Sequence, residues 1–578
     1  MFLLILFLFL FAKNTLAVSD FSTDQSVSYY LQENGNASVT QDFQITNHTS
    51  QIYLKEYVIK LDQTGLSQIT AHDSSGSIIK SIDNTDKSTI INLKFNHPQV
   101  GRGQINKFTL NYLVNQFAIN KGKTFEIQLP DYQISTDENL TINLNVPITF
   151  GELSFASIPI ASSQIQGNRY LINFDYRQIK PNGKILFVFG DHQLFDFKLN
   201  YYLTNPSNSP ITTEIAVPPD TNGQKITFTS LSPLPIQINL DPDGNWLAQY
   251  LIPANGQLDV TVNGQAKLFS PIKTPVSIDA NRYLEAKQFW PADSPQITNT
   301  ISNLNTPKNI YDFVVNYLSY NYSGLNLAKR QGALQALQNP SNALCTEFTD
   351  LFVTLSRAKS IPSREIEGYA YTNNPKIKPL NPNSDVLHAW PQYYDSSKQI
   401  WLSVDPTWEK TTNGIDYFND LDLNHLVFVT HGIDSIYPPP PGSYRNNNQQ
   451  KTVTVDFAPQ AITTNIIPPQ LTLKNTILTI TNPNLISLNQ IDLSTSNWHQ
   501  TIDLLPPLGQ LTFKLPPTPA FHQTTIKIAS AELSLTSINL TSPKPIYQNP
   551  IVIVSLIVIL STLGIIISVL PRQHEKNS

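Results

Sequence analysis

The chain has 578 residues, room for about three to six domains at roughly 100–200 residues each. Charged residues make up 14%, and 38 Lys+Arg against 43 Asp+Glu leave a formal charge of -5, which excludes the basic footprint of a nucleic-acid binder. One Cys excludes an intrachain disulfide framework and a Cys-rich zinc cluster, and 40% hydrophobic residues exclude wholesale disorder.

Met1 to Ala12 is apolar and too short to span a bilayer, followed by Lys13 and Thr15-Leu16-Ala17. This predicts a signal peptide over 1–17 with Ala17 as the last residue before cleavage. A basic n-region is missing, so an uncleaved anchor is the alternative. From Val18 to about Ser270 short runs alternate apolar and polar, as in Ser26–Leu31, Ala37–Ile45 and Gln51–Ile59, with Asn-Gly turns at Asn34-Gly35, Asn182-Gly183 and Asn222-Gly223. Period-two runs punctuated in this way predict antiparallel β-sandwiches, one over 18–192 and a second β-rich domain over 193–295. Ile310–Leu318 and Gly332–Leu337 carry helical spacing instead and belong to an α+β domain over 296–437. Pro438–Gly442 and Asn446–Gln450 form a linker over 438–450, and 451–545 returns to β alternation as a C-terminal sandwich. Ile551 to Leu570 is uncharged, and its twenty residues, at about 1.5 Å each, would span about 30 Å, one hydrocarbon core. Arg572 and Lys576 then place 571–578 in the cytoplasm and the body of a single-pass cell-membrane protein outside. Without disulfides, such an ectodomain depends on packed cores.

The only Cys lies in Asn339-Pro-Ser-Asn-Ala-Leu-Cys-Thr-Glu-Phe348. Asn342 is an N-cap candidate, and Leu344, Phe348, Leu351, Phe352 and Leu355 form an apolar helical stripe behind it. Cys345 is then the third residue of a helix, where the dipole's positive end favours a thiolate; the alternative is a small buried hydrophobe. Downstream, Leu387–Tyr394 and Gln399–Pro406 flank Asp395-Ser-Ser-Lys398, a hairpin signature. A two-residue loop at Ser396-Ser397 sets His388 opposite Asp405, with Cβ atoms about 4.5–5.5 Å apart, near enough for a carboxylate to orient an imidazole. The other face holds Ala389 with Val404, Pro391 with Leu402 and Tyr393 with Ile400, suited to a core. His425 and His431 match no zinc spacing and read as structural.

Cys345, Ser356–Arg364, Gly368-Tyr369, His388-Ala-Trp390 and Trp401…Asp405-Pro-Thr407 together resemble the transglutaminase-like superfamily, over roughly Thr306 to Gly432. The resemblance implies a papain-type arrangement in which Cys345 is the nucleophile, His388 the general base and acid, and Asp405 the orienting carboxylate. It implies thiol acyl transfer on a protein or peptide carbonyl through a thioester, resolved by water or by an amine, with no cofactor or metal required. Ala343 stands where the family commonly has Gly, and Tyr320 is the guess for an oxyanion-hole side chain. The rival reading is a catalytically inactive surface module using the same fold for binding or scaffolding.

Overall fold

The computed structural model describes residues 19–132, 138–160, 162–176, 184–323, 329–372, 388–445, 451–474, 476–495, 498–516, 523–530, 533–541 and 554–561. The expected signal peptide over 1–17 and cytoplasmic tail over 571–578 lie outside these residues. Among the described residues no helix is long and apolar enough to cross a membrane. Of 551–570, the described part is a short helix over 554–561, whose Val554, Leu556 and Ile557 are exposed, and the rest lies outside the described residues.

The protein is mostly β and multidomain. The N-terminal unit joins an eight-stranded sheet to smaller sheets of four and three strands over one shared core, with Val27, Tyr29, Leu144, Ile127 and Phe187 among its members. Alternation appears in Ala37–Asn47 as buried positions at every second residue, the period of a sheet with one covered face. The sheet is not purely antiparallel, as the sequence suggested. Phe21–Leu31 pairs antiparallel with Ala37–Asn47 on one side and parallel with Glu138–Pro147 on the other. Parallel neighbours are joined by long connections, and hairpin-based reading of the sequence sees only short ones.

Leu186–Phe189 is buried along its whole length because it has a core on each face. Phe187 and Phe189 enter the N-terminal core, while Leu186 and Val188 pack with Trp408, Ile415 and Tyr417 farther along the chain. The second unit, with sheets built on His192–Thr204 and on Trp246–Ile252, closes its core over Leu426 and Phe428. Val453–Phe457, expected to open the C-terminal sandwich, instead pairs with His192–Thr204 at the edge of the second unit's sheet. The remaining C-terminal strands form two sheets around Leu478, Ile480, Ile491 and Leu493.

Between these units lies a four-stranded antiparallel sheet in the order Ile400–Ser403, His388–Asp395, Ser363–Ala370, His425–His431. The Cys345–Ala358 helix packs on one face, placing Phe348, Leu351, Phe352 and Leu355 against Tyr393 and Val404. The helix Pro307–Tyr317, capped by the Thr306 hydroxyl and carrying Pro at its first position, completes that core. The hairpin differs from expectation by two residues: Tyr393 faces Leu402, and Asp395 faces Ile400. The Asp395 carboxylate accepts from the backbone N–H groups of Ser397 and Lys398, and Gln399 takes a left-handed φ of 57°, so the loop has four residues. A shift of two preserves which side chains share a face, whereas a shift of one would have inverted them.

Candidate active site

The Cys345 helix begins two residues later than its sequence suggests. Asn342 spends its side-chain oxygen on the Asn321 amide, and Leu344 takes the N-cap position with extended backbone. Leu344 has no side-chain acceptor, so only the reciprocal half of a capping box forms: Glu347 Oε2 accepts from the Leu344 N–H at 2.9 Å. Glu347 Oε1 accepts from the Gln331 N–H at 2.8 Å, tying the preceding segment to the same carboxylate. Cys345 is therefore the first residue of the helix, and it keeps 8% of its surface exposed. Tyr320 lies beside it: burial first, and then the nearness of Cys345, push the phenol well above its ordinary range.

His388 opens its strand opposite Gly368. Gly368 is required there by close approach, since a Cβ would sit 2.0 Å from the Leu426 carbonyl oxygen and 2.9 Å from the Trp390 ring. Its absence lets the neighbouring strand and Trp390 close around the imidazole. The His388 ring is held between Trp390, with centroids 5.8 Å apart, and Trp408 at 5.1 Å, both nearly parallel to it. Its Nε2 lies 2.7 Å from Asp405 Oδ2, and its side chain is also hydrogen-bonded to Cys345. Burial pushes the imidazole pKa down, but the Asp405 carboxylate and the contact with Cys345 outweigh it and lift the value to about 9.

Asp405 is not a strand residue facing His388, as the hairpin reading had it. The strand ends at Ser403, and Asp405 caps the helix Pro406–Thr412, its Oδ1 accepting from the Trp408 N–H at 3.0 Å. Its backbone is fixed as well, the N–H donating to the Tyr417 carbonyl and the carbonyl accepting from the Tyr311 hydroxyl. The other carboxylate oxygen is shared between His388 at 2.7 Å and His425 Nε2 at 3.3 Å. Burial alone would raise this carboxyl, but the two imidazoles hold it far below the usual carboxylate range. His425 in turn has Nδ1 2.9 Å from Asp422, and against burial its two carboxylates lift it to about 9.

The structure thus brings Cys345, His388 and Asp405 together and adds His425 and Asp422 behind them. His425 was read from sequence as structural, because its spacing to His431 matches no zinc motif. The one signal present was Asp422 three residues before it, which is weak. His431, the other histidine of that strand, faces Glu365 and the Pro438 carbonyl and does not join the cluster. Among the described residues, the ligand-type atoms of His388, Asp405 and His425 lie within 4.8 Å of one another, as do those of Glu365, Glu367 and His431. In both sets these atoms already bond to each other or to Arg330, so a metal would have to displace bonds in place.

Residues 294–406 match the model of the transglutaminase-like superfamily, a stretch that holds Cys345, His388 and Asp405. No curated protein matches the chain. Among solved structures, a presumed cysteine protease from Cytophaga hutchinsonii is similar at 16% identity, covering 46% of this chain and 99% of its own, with a TM-score of 0.32. The periplasmic domain of TgpA from Pseudomonas aeruginosa aligns at 15% identity over 39% of this chain and 92% of its own, with a TM-score of 0.22. An M1 zinc metallopeptidase from Deinococcus radiodurans aligns at 13% identity over 33% of this chain and 45% of its own, with a TM-score of 0.21. With the family match and the ordered motifs in hand, residues 294–406 are a transglutaminase-like domain, set among β-rich units of the same chain.

Proposed function

We propose that the protein is a thiol acyl-transfer enzyme acting on protein or peptide carbonyls. The observation that carries this reading is the continuous contact from Cys345 through His388 to Asp405 at the start of the helix. Cys345 gives its proton to His388, and Sγ attacks a carboxamide or peptide carbonyl carbon. The Cys345 backbone N–H, at the positive end of the helix dipole, holds the oxyanion that forms. As the intermediate collapses, the C–N bond breaks, His388 passes its proton to the departing amine, and a thioester remains. Water or an amine then attacks the thioester and gives its proton to His388. The C–S bond breaks, and the sulfur leaves to restore the starting pair. Asp405 keeps the imidazole oriented and stabilises its cation throughout.

Water as acceptor makes the enzyme a peptidase or deamidase, and a lysine amine makes it a cross-linker. The proposed setting is the cell surface, with the body outside and the apolar 551–570 segment in the membrane. Its support is the uncharged sequence of that segment and the basic residues after it. The test is to incubate the full chain with Gln-containing peptides, with and without an added amine, and follow products by mass spectrometry. A product missing in Cys345→Ala and His388→Ala supports the proposal. A Cys345 that stays inert to a thiol-reactive probe at every pH would leave the non-catalytic module as the reading.

A further inference from the structure

Three arginines of the transglutaminase-like domain, Arg357 buried and Arg330 and Arg364 half-buried, each lie over an aromatic ring, yet they differ in what their donors meet. Arg330, over Phe289, is bound by Asp350, Glu365 and Glu367. Arg357, over Trp290, gives its donors to the carbonyls of Ser363, Glu285 and Gly432. Arg364 stacks on Trp401 at 4.1 Å and donates from Nε to Gln392 Oε1 at 2.7 Å, while Gln392 Nε2 donates to the Ser403 hydroxyl at 2.8 Å. Its other polar neighbours are the Tyr283 hydroxyl, to which it is hydrogen-bonded, and, farther off, the Asp243 carboxylate that Tyr283 also meets; among the described residues no carboxylate lies within ion-pair distance of Arg364.

Arg364, Trp390, Gln392, Trp401, Ser403 and Tyr283 line one cavity of about 660 Å³ between the catalytic sheet and the second β-rich unit. Cys345, His388 and Asp405 are not in its lining, but His425 and Asp422 are, so it lies behind the proposed triad. Five aspartates line the cavity: Asp220 is paired with Lys225 at 2.8 Å, Asp420 with Lys273 at 3.7 Å and Asp422 with His425, while Asp279 and Arg282 line it as well. Asp243 accepts from the backbone N–H groups of Gly432 and Ile433. What remains is a guanidinium edge held flat by an indole and aimed by an amide, with no carboxylate in direct contact, together with the aromatic rings of Trp390 and Phe269. A planar fork of this kind matches a carboxylate in two parallel hydrogen bonds.

We infer that this cavity is a binding site, separate from the triad, for a small ligand that joins a carboxylate to an apolar or aromatic body, with Arg364 as its anchor. The inference does not depend on the catalytic reading, because binding is measured without turnover. The probe is benzoate titrated calorimetrically into the full chain, with benzamide and benzylamine as the neutral and cationic counterparts. Saturable one-to-one binding of benzoate is expected, with neither counterpart bound. Arg364→Lys, which keeps the charge and loses the fork, should weaken binding by at least about tenfold. In the unaltered protein, benzoate should also shield Arg364 from phenylglyoxal, read by peptide mass spectrometry, so the test survives a variant that fails to fold. Equal binding of benzamide, no binding of benzoate, or benzoate binding that leaves Arg364 fully reactive overturns the inference.

Discussion

Two buried imidazole–carboxylate clusters share the strands Ser363–Ala370 and His425–His431 and their neighbours, and only one of them meets a thiol. At one end of the sheet His388 touches Asp405 with Nε2 and also bonds to a thiol. Toward the other, His431 puts Nδ1 3.2 Å from Glu365 and Nε2 2.8 Å from the Pro438 carbonyl. Both histidines are lifted against burial to about 9 by acidic neighbours, so charge does not separate them. The difference is the second ring nitrogen, which in His431 is spent on a backbone carbonyl. An imidazole clamped on both sides holds structure, and one that ends on a sulfur can move a proton.

Cys345→Ala breaks the comparison most sharply. It should lower turnover by at least about a thousandfold, with the melting temperature little changed, since a small buried side chain is exchanged for a smaller one. Asp405→Asn comes next: about a hundredfold to ten-thousandfold less activity is expected from the mis-set tautomer. Without the carboxylate, His388 falls from about 9, so the alkaline limit of the residual turnover, set by loss of the proton that His388 gives to the leaving amine, should shift to lower pH. An unmoved limit would show that Asp405 does not govern the ring.

At the structural cluster the sensitivity should reverse. Arg330→Met strands Asp350, Glu365 and Glu367, and urea denaturation should show a loss of about 3–5 kcal/mol. A loss no larger than that of an exposed salt bridge would mean that the carboxylates find protons or water instead.

A pH series sharpens the likeness between the clusters. His388, His425 and His431 all rise from 6.5 to about 9 on folding. Their contribution is complete below pH 6.5 and fades as the pH climbs through about 9, each worth on the order of 1–3 kcal/mol. Asp405 and Glu365 are depressed, so their share is present above the ordinary carboxylate range and is lost in acid. His431→Gln should flatten the alkaline slope by about a third while leaving peptide turnover at neutral pH close to that of the parent. The smallest effect is expected from Glu347→Gln, which keeps one acceptor oxygen for the Leu344 and Gln331 N–H groups in place of two and should cost about 1 kcal/mol in melting experiments.

The sequence carried much of the site because its signals are local or periodic. Cys345 precedes an apolar helical stripe, and the alternation from His388 to Tyr394 and from Gln399 to Asp405 marks which side chains share a face, whichever even register the loop selects. The loop itself was misread because Asp395 folds back on two backbone N–H groups, and that bond is not visible in the alternation. Asp405 was placed on a strand because Pro406 reads equally well as a strand end and as the first residue of a helix. The parallel pairing of Phe21–Leu31 and the second imidazole behind Asp405 depend on segments that meet only in the folded chain.

The two indoles that hold the His388 ring have a practical consequence. An imidazolium quenches tryptophan emission far more than a neutral ring does, and Trp390 and Trp408 lie 5.8 and 5.1 Å away. His425 lies 5.1 and 4.5 Å from the same two rings, so the protein carries its own optical gauge of proton occupancy at the His388–His425 pair, one that brightens as the imidazoles give up their charge and needs neither label nor substrate.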